Sequence, residues 1–141
     1  MESADAPSPS RLTRVLCVDD LPDATAALRL LIQADPSMTC VGCLGSADHL
    51  VKEVQGRDPR PDVVVLDATM PGEDPMDAMR ELASACPSTR TIIYSGRNDP
   101  AFVDRARDAG AWGCVSKDAE PRAILRAVRD VAAGRGSWPV G

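Results

Sequence analysis

The sequence has 141 residues, 44% of them hydrophobic, 26% charged and 3% aromatic, and a formal net charge of −5. That length fits one domain with a core of its own, and an acidic, aromatic-poor chain argues against direct nucleic-acid binding, which needs a basic face or stacking rings. No apolar run approaches the roughly 18–20 residues that span a membrane, residues 1–10 lack the apolar stretch of a signal peptide, and five cysteines scattered through apolar runs do not frame a disulfide scaffold, so a reduced, soluble, cytoplasmic protein is expected.

Residues 1–13 read as a flexible N-terminal tail, 14–134 as the folded domain and 135–141 as a C-terminal tail. Val15-Leu16-Cys17-Val18 is a short apolar run suited to a strand buried on both faces, and it stops at Asp19-Asp20. Pro22 suits the first turn of a helix, whose inner face is marked at helical spacing by Ala24, Ala27, Leu28 and Leu31. Residues 39–43 read as a second strand. Ser46 is expected to cap the next helix, with Leu50 and Val54 facing inward. Val63-Val64-Val65-Leu66 is the clearest strand and stops at Asp67. Asp74-Pro75 reads as a cap with a first-turn proline, opening a helix that carries Met76, Met79, Leu82 and Ala83. Thr91-Ile92-Ile93-Tyr94 ends at Ser95-Gly96, and Asp99-Pro100 opens another helix. Trp112-Gly113-Cys114-Val115 ends at Ser116-Lys117. The last helix starts near Pro121, runs through Ile124, Leu125, Val128 and Val131, and is closed by Gly134.

Five β-α units in series predict an α/β fold with a mostly parallel sheet and helices on both faces. Ligands of such sheets bind at the carboxyl ends of the strands. The residues found there are Asp19, Asp20, Asp67, Ser95 and Lys117. Three carboxylates at one end repel one another unless a cation offsets them, and a hard divalent ion such as Mg²⁺ prefers oxygen ligands. With Lys117 as a fixed positive charge and Ser95 as a small donor, the set suits a tetrahedral dianion bonded to one carboxylate. Phosphoryl transfer needs this kind of positioning and neutralisation, and the carboxylate serves as the nucleophile that becomes an acyl phosphate.

At this point the sequence resembles the receiver domains of bacterial response regulators. That family shows an acidic pair after the first strand, here Val18-Asp19-Asp20, and a phosphoacceptor after the third, here Leu66-Asp67-Ala68-Thr69-Met70-Pro71-Gly72. It shows Ser/Thr plus a small residue after the fourth, here Ser95-Gly96, and a Lys after the fifth, here Ser116-Lys117-Asp118. The resemblance covers roughly residues 14–134 and implies a (βα)5 doubly wound sheet of strand order 2-1-3-4-5, CheY-like. It implies Asp67 as acceptor and Mg²⁺ held by Asp20 and Asp67, with Asp19 assisting through water and the Thr69 backbone carbonyl completing the protein ligands. Lys117 then pairs with the phosphoryl group, Ser95 is the switch residue, Gly96 keeps the approach open, and Thr69 and Arg97 occupy positions that tune phosphoryl lifetime.

The implied partner is a phosphohistidine on a sensor histidine kinase or a histidine phosphotransfer protein. Catalysis is confined to the protein's own phosphorylation and dephosphorylation, so it is not expected to be an enzyme in the ordinary sense. The ending at residues 123–134 resembles NarL/FixJ-type receivers, which precede a helix-turn-helix domain. Residues 135–141 are then a tail or the start of a linker to an output domain, and a phosphorylation-dependent homodimer is a further partner that the resemblance allows. One departure is Cys114, which stands where the family places Tyr or Phe as a rotamer switch.

Two other readings compete. A haloacid-dehalogenase-type phosphatase also uses an Mg²⁺-assisted aspartate nucleophile, but needs a second acid two residues on, where this chain has Thr69. A receiver-like binding module that works without phosphorylation is disfavoured by the complete acidic set, and Cys114 keeps it in play. Taken singly, the acidic residues could be ordinary helix caps. Cys40-Val41-Gly42-Cys43 carries no site on this reading, because strand residues three apart face opposite ways. Cys17 and Cys114 read as small core hydrophobes, His49 as exposed, and Arg122, Arg126 and Arg129 as a solvated helix face.

Overall fold

The computed structural model describes residues 11–139 apart from Pro71, Glu73 and Asn98. Most of the expected tail at 1–13, the last two residues and the proline of the Asp67 motif therefore lie outside the described residues. The elements alternate as β1 (Thr13–Val18), α1 (Pro22–Gln33), β2 (Met38–Leu44), α2 (Leu50–Gln55) and β3 (Val63–Asp67). They continue as α3 (Pro75–Ala85), β4 (Arg90–Ser95), α4 (Pro100–Asp108), β5 (Gly113–Ser116) and α5 (Pro121–Ala132). The strands form one parallel sheet of order β2-β1-β3-β4-β5, as the resemblance implies.

Strand alternation divides the core into two layers. Leu16, Val18, Val64, Leu66, Ile93 and Cys114 point to one face and pack with residues of α2, α3 and α4, among them Leu50, Val54, Met79, Leu82 and Phe102. Val15, Cys17, Val63, Val65, Ile92 and Val115 point to the other and meet α1 and α5 through Leu28, Ile32, Ile124, Val128 and Val131. Both faces are covered, which is why these strands read as unbroken apolar runs. Leu66 is fully buried at the centre. Leu66→Ala is expected to lower stability by about 2–5 kcal/mol through lost burial and the cavity left behind, read as a lower urea midpoint with an unchanged denaturant slope.

Helix starts follow local chemistry at two predicted caps. The Asp74 carboxylate accepts from the Met76 N–H and Asp99 from the Phe102 N–H, each followed by a proline in the first turn. At the other end of the chain Gly134, with φ 85°, closes α5 in the left-handed conformation that favours glycine. Among the described residues no helix is long and apolar enough to cross a membrane.

Three expectations need correction, and the segment after α5 shows a packing of its own. Ser46 does not cap α2: its Oγ accepts from the Asp48 N–H at 2.9 Å, closing a turn, and the helix starts only after His49, whose φ of 62° no helix can hold. The inner face of α1 centres on Leu28 and Ile32, so Ala27 is exposed. The chain after α5 folds back: Ser137 bridges to Gly113, its carbonyl accepts from the Cys114 N–H at 2.9 Å, and Trp138 packs against the α2/α3/α4 layer under the Arg107 guanidinium. The paired thiols are the third correction. The register runs Val15↔Cys40, Leu16↔Gly42 and Cys17↔Cys43, so β2 spends three steps where β1 spends two. This bulge puts Cys40 and Cys43 on the same face, their Sγ atoms 4.0 Å apart.

Candidate functional site

The carboxyl ends of β1, β3, β4 and β5 share one local device. Asp19 Oδ1 accepts from the Leu21 N–H, Asp67 Oδ1 from Thr69, Ser95 Oγ from Arg97 and Ser116 Oγ from Asp118, at 2.9–3.1 Å. Each is a side chain closing a turn on the backbone two residues ahead. The acidic residues at these ends are therefore turn formers and not helix caps. Backbone bonds just past the strands tie the ends together: Asp19 N–H to Leu44 O, Ala68 N–H to Tyr94 O and Lys117 N–H to Ser95 O. Asp67 and Ser95 thus end their strands, and Asp19, Asp20 and Lys117 follow theirs within two residues.

The predicted carboxylates converge. Asp19, Asp20 and Asp67 each offer an oxygen, all within 4.8 Å of one another. Asp19 and Asp67 are 2% exposed and Asp20 is half-buried. Lys117 Nζ stands 3.2 Å from Asp67 Oδ1 and 3.6 Å from Asp19 Oδ2, with the Tyr94 ring below it. Burial pushes the Asp67 carboxyl above its ordinary value; the Thr69 N–H pulls it down, Asp19 pushes it up and Lys117 pulls it down again. Burial works against the Lys117 ammonium, yet Asp67 and Asp19 hold its pKa above the usual lysine value.

Ser95 is 1% exposed at the end of β4, beside the Asp67 end of β3. Its Oγ already accepts from Arg97, which leaves its own proton to donate. At Gly96 an added Cβ would meet nothing within 4 Å, so the approach is open. Arg97 is exposed, with its guanidinium held by Asp99 and laid over Phe102, directed toward α4. Cys114 is buried in the α2/α3/α4 layer, where burial pushes its thiol up to about 11.

Asp19 Oδ2 is buried and has no hydrogen-bond partner; two further carboxylates stand beside it, and the Lys117 ammonium 3.6 Å away is shared with Asp67. An oxygen-ligated divalent cation fits this donor set, since it would satisfy that atom and offset the mutual repulsion.

Two features escaped the sequence reading. An apolar groove of about 770 Å³ runs between α1 and α5 up to Lys117, lined by Leu21, Leu28, Leu31, Tyr94 and Ile124. Leu21 and Leu30 are 57% and 73% exposed, a signal present in a helix with apolar residues outside its core stripe. Trp138 is the other; a tryptophan in a short expected tail was the available hint.

Comparison with known proteins agrees with this architecture. A model of the response regulator receiver domain matches residues 15–129. The chain is similar to the DNA-binding transcriptional activator DevR/DosR of Mycobacterium tuberculosis, 39% identical over 127 residues that cover 88% of this chain and 56% of that protein. It is similar to the nitrate/nitrite response regulator protein NarL of Escherichia coli, 31% identical over 120 residues, 85% of this chain and 55% of that one. Among solved structures, a two-component response regulator of the LuxR family from Aurantimonas superposes with TM-score 0.83 at 29% identity, covering 90% of this chain and 89% of that one. The chain spans a little over half the length of the two sequence relatives.

Proposed function

Because the chain belongs to the response regulator receiver domain family, as a NarL/LuxR-type receiver of a two-component response regulator, we propose that it accepts a phosphoryl group onto Asp67 with the help of Mg²⁺. The donor is a phosphohistidine on a sensor histidine kinase or a phosphotransfer protein. The observation that carries this reading is the convergence of three carboxylates within 4.8 Å, with Lys117 3.2 Å from Asp67.

Asp19, Asp20 and Asp67, with the Thr69 carbonyl, would hold the Mg²⁺, which supplies the positive charge that lets an anionic carboxylate approach an anionic phosphoryl group. An Asp67 carboxylate oxygen attacks phosphorus, the new O–P bond forms as the N–P bond to the donor imidazole breaks, and the imidazole leaves. Lys117 shifts its ammonium from the Asp67 carboxylate to a phosphoryl oxygen. Ser95 donates its free proton to another. Both interactions strengthen as charge gathers on the phosphoryl oxygens, which is what accelerates the transfer. The reaction ends on the protein's own side chain, so this domain turns over no external substrate.

The apolar groove beside Lys117 supports docking of a partner helix close to Asp67. Engagement of Ser95 by the phosphoryl group would draw on the β4–α4 segment, where Ser95 Oγ now holds Arg97, and so bias a two-state equilibrium. With Cys114 in place of the usual ring, the aromatics on the same layer are Phe102 and Trp138. Regulation of transcription through an attached output domain is part of this proposal, by likeness to DevR/DosR and NarL.

The test is intact mass after incubation with a small acyl phosphate. One added phosphoryl group with Mg²⁺, and none with a chelator, is the expected result. No gain together with no Mg²⁺ binding would sink the reading and leave a binding module that acts without phosphorylation.

A further inference from the structure

The bulge in β2 builds a second chemical site, on the α1 side of the sheet. Cys40 and Cys43 are both half-buried, with Sγ atoms 4.0 Å apart. Cys40 Sγ also lies 3.4 Å from the Gly42 carbonyl, and Cys43 Sγ 3.9 Å from that of Thr25 in α1. Arg29, exposed on α1, lends its positive charge to the pair. Cys17, fully buried on β1, lies opposite Cys43 in the register. A hydrogen bond from the Cys17 thiol, aided by Gly42, Cys43 and Arg29 against burial, holds Cys40 down to about 6, while burial pushes the Cys43 thiol up. Cys40 is therefore the more acidic thiol of the pair and the one that more readily supplies a thiolate, the form that attacks. Cys17, Cys86 and Cys114 are each at most 2% exposed, closed to a reagent from solvent.

We propose that Cys40 and Cys43 form a thiol-oxidation site, in which a small-molecule disulfide converts the pair to an intramolecular disulfide. The Cys40 thiolate attacks one sulfur of the disulfide, forming a mixed disulfide as the first thiolate leaves. Cys43 gives its proton to solvent and attacks Cys40 Sγ, forming the Cys40–Cys43 bond as the second thiolate leaves. Two electrons pass from the protein pair to the small disulfide, which ends as two thiols, and no other reactant is needed. Closing from 4.0 Å to the ~2.05 Å of a disulfide asks for movement where the chain can give. β2 pairs on one side only, with β1, and the bulge already interrupts that ladder.

The site does not rest on the phosphoryl-transfer reading and is tested apart from it. The full chain, reduced and freed of reductant, is incubated with oxidised glutathione, alkylated with iodoacetamide and digested with trypsin. The tryptic peptide of residues 30–52 holds Cys40 and Cys43 and no other cysteine. It is expected two hydrogens lighter and unalkylated. Cys43→Ser should stop at a glutathione adduct on Cys40, and Cys40→Ser should react at least ~10-fold more slowly, having only the less acidic thiol. A doubly alkylated wild-type peptide overturns the proposal, and so does a Cys40→Ser chain that gains glutathione on Cys43 at the wild-type rate. The wild-type peptide decides the matter even where a serine variant folds poorly.

Discussion

Asp67→Asn is expected to gain no phosphoryl group under conditions where the wild-type chain gains one, and in metal-free buffer at neutral pH to be the more stable of the two. The first effect follows from removing the nucleophilic oxygen. The second follows from the electrostatics of the apo site. Asp67 is 2% exposed and faces Asp19, and the Thr69 N–H and Lys117 offset these only in part, so its pKa lies above the ordinary 3.8. A carboxyl that holds its proton more tightly folded than unfolded stabilises the fold below its ordinary pKa. That contribution is lost as pH rises through the folded value, and at neutral pH the charge is a net cost. Asparagine keeps the shape and an oxygen for the Thr69 N–H but carries no charge. Each kcal/mol recovered corresponds to about 3–5 °C in Tm for a domain of this size. Added Mg²⁺ should raise the wild-type Tm and narrow the gap, because the ion binds the carboxylate form. Thermal melts at several pH values, with and without Mg²⁺, check this; the gap should shrink toward acid pH. An Asp67→Asn chain that melts below wild type throughout would show that Lys117 more than offsets the buried charge.

Lys117→Met is expected to slow phosphoryl uptake from a small acyl phosphate by about 10²–10³-fold, the usual effect of losing one donor to developing negative charge. It should also lower metal-free stability. Lys117 is the cation beside both Asp67 and Asp19, at 3.2 and 3.6 Å, and methionine keeps its apolar stem over Tyr94 while removing the charge. Stranding a partner of a fully buried pair costs about 3–5 kcal/mol. Here the lysine side chain is 30% exposed, so a loss of about 1–2 kcal/mol is expected. The Lys117 pKa is raised, so its contribution is present below the ordinary lysine value of 10.5 and fades as pH rises through the folded one. The deficit should also fade toward acid pH, where Asp67 takes up its proton and the pair dissolves. Stopped-flow or quenched mass measurements give the rate, and urea titrations across pH give the stability. Uptake at the wild-type rate would remove Lys117 from the transfer.

The candidate site was legible because the fold is built from repeated local units whose signals need no long-range information. Apolar runs such as Val63-Val64-Val65-Leu66 end where a polar residue begins, and parallel right-handed crossovers send every strand end to the same edge. Asp19, Asp20, Asp67, Ser95 and Lys117 could therefore be gathered from the residue that follows each run, and the caps at Asp74 and Asp99 from a two-residue pattern. What the sequence could not supply were features decided by a partner far along the chain. Cys40 and Cys43 share a face only because β1 takes two steps where β2 takes three, and strand alternation by itself predicts the opposite. Ser46 closes a turn instead of a helix because the chain needs His49 in a left-handed conformation to enter α2. Trp138 is drawn back because β5 is an edge strand with free backbone groups and an apolar layer beside it. Sequence by itself determined the order of the elements and which polar residues stand at the strand ends, since these follow from period and local turn geometry. Tertiary structure alone decided the bulge, the paired thiols and the docking of residues after α5, since these depend on register and packing between segments distant in the chain.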